Sequence, residues 1–250
     1  MDSMSDRRST MKSRFPEARR NPSDQRLGAP QPPLVKPFDP GSQTVDLPSP
    51  RDAVPENVNL YDLIERRESR RQYSSDPISL AEVSFLLWAT QGIKAIVKDG
   101  FAALRTVPSG GSRHAFETYL AVNRVEGLKP GIYRYLPIGH RLLFIGCPQE
   151  LPSRIAQACF GQDFVATASV VFFWSVLPYR CEWRYSVAAH KTMIQDSGHL
   201  CQNLYIACEA LSLGTCAIGA YDQWSADELL GLDGEEEFVI YAAPVGRPGR

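Results

Sequence analysis

QDSGHLCQNLYIACEALSLGTCAIGAYD (195–222) is the stretch that decides the fold. Met193, Leu200, Leu204, Cys208 and Leu211 recur at three- and four-residue steps, which is the spacing of one helix face, and Ala207 and Ala210 fill the flanks. The pattern predicts a long helix over about 186–213. Gly214 is expected just past its end, where a left-handed backbone favours glycine. TCAIGAYD (215–222) then reads as a strand. Asp196, His199, Gln202 and Asn203 interrupt an otherwise apolar helix, and polar groups on a buried helix need partners. A satisfied core network and a functional cluster both meet that need.

Outward from this helix, ASVVFFWSV (168–176) is β-branched and aromatic throughout, as a strand buried on both faces would be. EFVIYAAPVG (237–246) is a closing strand, and Ser225-x-x-Glu228 is expected to cap a short helix before it. Residues 117–125 and 132–136 read as strands joined by the turn GLKPG, with a third strand at 140–146 and a helix near 149–160. Ser79-x-x-Glu82 is a capping box for LAEVSFLLWAT, and Asn57 or Asn59 caps a shorter helix through Arg67. Strands and helices alternate irregularly, so the class is α+β. The folded domain is expected over 56–250. Residues 1–55 hold 10 of the 19 prolines and read as an extension, disordered over 1–25 and an arm packed on the domain over 26–55.

The 250 residues carry 27 basic and 28 acidic side chains, a net charge of -1. No basic surplus calls for nucleic acid or an anionic membrane. The longest uncharged apolar run, 164–177, is short of the ~20 residues a spanning helix needs. MDSMSDRRST (1–10) lacks the apolar core of a secretory signal. Cysteines 147, 159, 181, 201, 208 and 216 form no CxxC pair, so no zinc site is expected and a reduced, cytoplasmic protein is. Phosphate-loop, dinucleotide-binding, metalloprotease and serine-hydrolase motifs are missing.

Two further clusters bear chemistry. ERRESRRQY (65–73) has four arginines in six residues, either a solvated basic face or a phosphate clamp, with Ser69 adding a hydroxyl. In TVPSGGSRHAFETYLAV (106–122), the paired glycines make a tight turn or let backbone N–H groups approach an anionic or planar ligand.

Taken in order, these pieces resemble the nitroreductase superfamily of flavin enzymes. More narrowly they resemble its SagB-type branch, the FMN-dependent azoline dehydrogenases of thiazole- and oxazole-containing peptides. RRESRRQYSSDPISLAEVSFLLWATQGI (66–93), PSGGSRHAFETYLAV, VEGLKPGIYRY, DSGHLCQNLYIACEALSLGTCAIGAYD and EEEFVIYAAPVGR carry the resemblance, and SDQRLGAPQPPLVKP (23–37) extends it toward the N-terminus. It implies a three-layer sandwich, a mixed or antiparallel sheet flanked by helices, in an intertwined homodimer with FMN at the interface. It also implies that Arg67, Ser69 and Arg71 contact the flavin, Arg67 at the phosphate and Arg71 near the pyrimidine edge. Pro108, Ser109, Gly110, Gly111 and Ser112 would form a loop reaching the partner subunit's flavin. Ile218, Gly219 and Ala220 would lie under the ring, and Arg247 would add a phosphate contact.

One position departs from that branch. Its azoline dehydrogenases carry a Lys-Tyr pair ahead of the long helix, and this chain has Arg184-Tyr185. Arginine stays protonated and is no base, although it holds an anionic substrate, so the proton falls to Tyr185. His199 reads as structural. The resemblance implies hydride transfer from a small or peptidic substrate to flavin. Its alternatives are NAD(P)H-dependent nitro or quinone reduction, and a non-catalytic subunit of a modifying complex.

Overall fold

A strand with no exposed residue must lie inside a sheet covered on both sides, and Val170–Val176 is such a strand. The computed structural model describes residues 9–249. Its helices are α1 (Phe15–Arg20), α2 (Leu60–Arg66), α3 (Leu80–Gln91), α4 (Leu151–Ala158), α5 (Asp163–Ala166), α6 (Tyr179–Tyr185), α7 (Ala189–Ala210) and α8 (Gln223–Leu230). Its strands are β1 (Thr44–Asp46), β2 (Ile93–Val97), β3 (Ala102–Arg105), β4 (Phe116–Val122), β5 (Gly131–Leu136), β6 (Arg141–Gly146), β7 (Val170–Val176), β8 (Gly214–Thr215) and β9 (Phe238–Gly246).

Seven strands form one sheet in the order β1-β6-β5-β4-β7-β9-β8, and each of its ladders is antiparallel. Strand periodicity of two sorts β7 between two cores. Phe172 and Trp174 join Leu120 from β4, Leu86 and Leu87 from α3, and Leu200 and Leu204 from α7. Val171 and Phe173 join Tyr119 from β4, Ile155 from α4 and Leu229 from α8. The result is the expected α+β sandwich, a sheet between two helical layers. It places α7 along one face, with α2 and α6 packed beside it.

Several expectations need correction. The long helix ends at Ala210, and Ser212 rather than Gly214 takes the left-handed position, with φ 55°. Leu213 N–H reaches Cys208 C=O and Ser212 N–H reaches Glu209 C=O, a closure that leaves Gly214 free to start β8. TCAIGAYD is strand only at Thr215, with one isolated bridge from Ile218 to Ala242. The cap of α8 is Asp222, whose carboxylate accepts Ser225 N–H one turn before the residue pair that suggested a cap. The β2–β3 hairpin is not among the elements expected from the sequence. Of the stretch expected to be disordered, residues 1–8 lie outside the described residues, but Ser9–Met11 is a 3-10 turn and Phe15–Arg20 a helix. Pro16 at its first turn and the Arg14–Glu17 pair support that helix.

The proline-rich arm supplies polar partners to buried charge. Arg134 donates to Lys36 C=O and Pro37 C=O, and Arg105 donates to Leu34 C=O. Lys36 N–H bonds Glu117, and the Lys36 ammonium pairs with the buried Glu237. Five of the six free cysteines are buried, Cys147 being exposed. Among the described residues no group of three His, Cys, Asp or Glu side chains is placed to hold a metal ion, and no helix is long and apolar enough to cross a membrane.

Candidate active site

Asn59 caps α2 by accepting Tyr61 N–H, and the helix stops at Arg67, where the backbone turns extended. That turn lays the Arg67 guanidinium 5.2 Å from the centre of the Tyr205 ring on α7. Two residues on, Ser69 Oγ shares a 2.8 Å hydrogen bond with the Tyr205 hydroxyl. The same hydroxyl accepts Ala217 N–H at 2.8 Å. One buried phenol therefore ties the end of α2 to the segment entering Ile218, Gly219 and Ala220. Ile218 is buried and bonds Ala242 in both directions, at 2.8 and 3.4 Å, whereas Gly219 and Ala220 emerge to solvent. The Ala220 carbonyl accepts from Gln162 at 2.9 Å.

The arginine run divides by role. Arg70 pairs with Glu209 and Glu68, and Arg66 returns to Asp62 C=O. Arg67 and Arg71 form no ion pair among the described residues. Arg247 is held instead by Glu82, at 3.1 Å to both oxygens, and by Pro77 C=O, so its guanidinium buttresses the capping box of α3.

A second group forms around the loop. Gly110 N–H donates to Asp196 Oδ2 at 3.1 Å, and Ser109 Oγ accepts His114 N–H at 3.0 Å. Burial raises the Asp196 carboxyl above its ordinary range, against the bonds from Ser109 and Gly110 that favour its anion. Gly111 is left-handed, and a Cβ there would collide with the Tyr185 hydroxyl and the Arg184 side chain; a Cβ at Gly110 would collide with Thr192. Pro108–Ser112 thus packs on Arg184 and Tyr185, which close α6 before Ser186 reverses the chain at φ 47°. Arg113, 4% exposed, lies beneath them over Phe101 and Trp183; burial first, then Arg184, lowers its hold on a proton.

Asp196 and Tyr205 are nine residues apart on α7, about 14 Å along the axis. Within one chain the residues singled out from sequence therefore form two groups: Arg67 and Ser69 with 217–220 around Tyr205, and 108–112 with Arg184 and Tyr185 beside Asp196. Tyr205 was missed. Its signal was a phenol on an apolar helix stripe, where the hydroxyl must find partners. Asn203 donates to Ala89 C=O and belongs to the core network. His199 lies 3.9 Å from Asp196 and is half exposed.

The first group offers the chemistry a flavin phosphate and ring need. Two arginines without acidic partners among the described residues and a serine hydroxyl stand at the end of α2, and a Cβ added at Gly219 would meet no atom of the described residues within 4 Å, so the backbone there faces open space. Thr215 Oγ1, nearby on β8, is buried with no hydrogen-bond partner among the described residues. Along α2, α3 and α7 runs an apolar groove of about 560 Å³ lined by Val58, Leu60, Phe85, Trp88 and Ile206. Tyr61 and Ile64 add exposed apolar surface to the outer side of α2.

The model of the nitroreductase family matches residues 64–247. MJ1384 of Methanocaldococcus jannaschii, a protein assigned as a nitroreductase, is 32% identical over 192 residues, covering 77% of this chain and 92% of its own. The trifolitoxin-processing protein TfxB of Rhizobium leguminosarum bv. trifolii is 27% identical over 154 residues, 57% of this chain and 39% of TfxB. Among solved structures, a chain of the E. coli microcin synthetase McbBCD complex with truncated pro-MccB17 bound shares the fold at a TM-score of 0.64 and 15% identity, covering 86% of this chain and 79% of that one.

Proposed function

Because the chain belongs to the nitroreductase family of oxidoreductases, we propose that it is an FMN-dependent enzyme of the SagB type, oxidising a small-molecule or peptide substrate. The observation that carries this reading is the convergence on Tyr205, which joins the α2 arginines to the exposed strand end at Gly219. Arg67 would hold the FMN phosphate, with Ser69 beside it. Arg71 would stand at the pyrimidine edge, and Ile218, Gly219 and Ala220 would support the ring, with a backbone N–H near Gly219 toward it. Because Glu82 already holds Arg247, the phosphate falls to Arg67. FMN, when bound, supplies the hydride acceptor.

The residues of this chain do the rest. Tyr185 takes or gives the substrate proton through its hydroxyl, and Arg184 orients an anionic group rather than acting as a base. The 14 Å between the two groups supports a homodimer in which Pro108–Ser112 of one copy completes the site of the other. The apolar groove along α2 and α3 is the face such a dimer would cover. Likeness to a toxin-processing protein favours a peptide substrate, and likeness to a chain of a synthetase complex favours partner proteins within a modifying assembly. The free, buried cysteines suit a reducing cytoplasm. A second reading is NAD(P)H-dependent reduction of nitro or quinone acceptors, and the 32% identity with MJ1384, a protein assigned as a nitroreductase, favours its nitro-reducing form.

Titration of the flavin-free protein with FMN tests the assignment. Charge-assisted bonds to a phosphate are worth about 1.5–3 kcal/mol, so Arg67→Ala should weaken FMN binding at least ~10-fold with the fold intact. Unchanged affinity in that variant would remove Arg67 from the site.

A further inference from the structure

Ahead of the family match, residues 15–26 build a pocket on the outer side of Tyr185. Its volume is about 310 Å³, and Phe15, Arg19, Arg26, Arg184 and Tyr185 line it. The geometry points to an oxyanion site that binds the carboxylate of the substrate and presents the rest of that molecule to Tyr185. This deepens the proposed function by naming the substrate class, and it rests on that reading for the role of Tyr185.

Placement of the segment is specific. Gln25 N–H donates to Trp183 C=O at 2.8 Å, the Trp183 indole N–H donates to Ala29 C=O at 2.9 Å, and the Tyr179 hydroxyl donates to Asp24 at 2.9 Å. These three bonds fasten the chain along α6, the helix that ends in Arg184 and Tyr185. Phe15 then meets the Tyr185 ring edge to face, with centroids 6.1 Å apart and planes at 75°.

Charge makes the case for an anion. Arg19, Arg26 and Arg184 form no ion pair among the described residues, while the nearby acids are engaged, Glu17 with Arg14 and Asp24 with Tyr179. Buried Arg113 adds a fourth positive charge behind Arg184. Gathering like charges around one cavity is unfavourable until an anion enters, and guanidinium forks match a carboxylate or phosphate through paired N–H bonds. The aromatic walls of Phe15 and Tyr185 suit the apolar body of an organic acid better than a bare inorganic ion. Arginine at 184 completes this site as a fixed cation, where a lysine would be a flexible point charge.

The test is calorimetric titration of the full chain with benzoate, its uncharged analogue benzamide, and inorganic phosphate. The site predicts that benzoate binds at least ~10-fold more tightly than benzamide and more tightly than phosphate, and that the exposed pair Arg19→Gln/Arg26→Gln weakens benzoate at least ~10-fold. Equal binding of benzoate and benzamide, or unchanged binding in the double variant, would overturn the site. Phosphate preferred over benzoate would overturn the carboxylate class. None of these titrations needs flavin or turnover. Protein that takes up FMN yet ignores benzoate refutes this pocket alone, and protein that binds benzoate but not FMN refutes the flavin reading while supporting the pocket.

Discussion

Replacing Tyr205 by Phe removes one oxygen and keeps the buried ring that packs in the α7 core. Two bonds disappear, 2.8 Å to Ser69 Oγ and 2.8 Å from Ala217 N–H. Ser69 is exposed, so water replaces its partner at little cost. Ala217 N–H is half-buried, and an unsatisfied donor costs about 1–3 kcal/mol beyond the modest net value of the bond itself. The sum is about 2 kcal/mol, or a fall of about 4–8 °C in Tm for a chain of this size. Arg67 keeps its ring, but the segment leading to Gly219 loses its anchor, so FMN affinity should fall about three- to tenfold, since a loosened contact near 1 kcal/mol translates to that range. Thermal melts and FMN titrations of Tyr205→Phe and Ser69→Ala read both effects, with Ser69→Ala nearly neutral in stability. A Tyr205→Phe protein that melts with the parent chain and binds FMN equally would refute the idea that this phenol joins the two halves of the site.

Buried His114 gives a pH prediction. Burial first, then Arg105, lowers its pKa from 6.5 to about 3, so the folded protein holds it neutral while the unfolded chain protonates it. Its contribution is fully present above pH 6.5 and is lost as pH falls from there toward the folded value. Between pH 7 and pH 5 that loss is about 2 kcal/mol, and denaturant unfolding of His114→Gln should show a slope flatter by that amount. Equal slopes in the two proteins would show that His114 is not held neutral. Glu117 and Arg180 form a 2.6 Å pair with both side chains buried. Burial pushes the Glu117 carboxyl up, but Arg180, then Arg134 and Arg105, bring it below its ordinary range. Glu117→Gln leaves those guanidinium groups short of a charge and should cost about 3–5 kcal/mol in urea unfolding. An unchanged urea midpoint would contradict it.

What the sequence made legible was what is decided locally or by strict periodicity. Ser79 and Glu82 satisfy each other across one turn, so the start of α3 could be read without knowing what it packs against. Val170–Val176 is apolar on both faces and so had to be central. The β2–β3 hairpin was hidden because β2 stands largely in solvent and carries no alternation of buried and exposed residues; only its Lys98-Asp99-Gly100 turn, all at positive φ, marks it. Ser212 in place of Gly214 depended on a left-handed serine, which propensity does not favour. In the site, residue types were readable and their grouping was not. Arg67 and Arg247 look alike in sequence, and only the fold brings Glu82 to one and Tyr205 to the other. Residues 1–25 read as disordered because what holds the segment lies far along the chain: Phe15 meets Tyr185, and beyond the helix Asp24 and Ala29 bond Tyr179 and Trp183 of α6, more than 150 residues away.

The central claim is a bound flavin held through Arg67. The visible spectrum of the purified protein, followed by heat release and chromatography of whatever is bound, tests it most directly. A flavin held through Arg67 gives two flavin absorption bands and released FMN, both reduced in Arg67→Ala. A colourless protein that also refuses added FMN would contradict it, and the arginines at the end of α2 would then be an ordinary solvated surface.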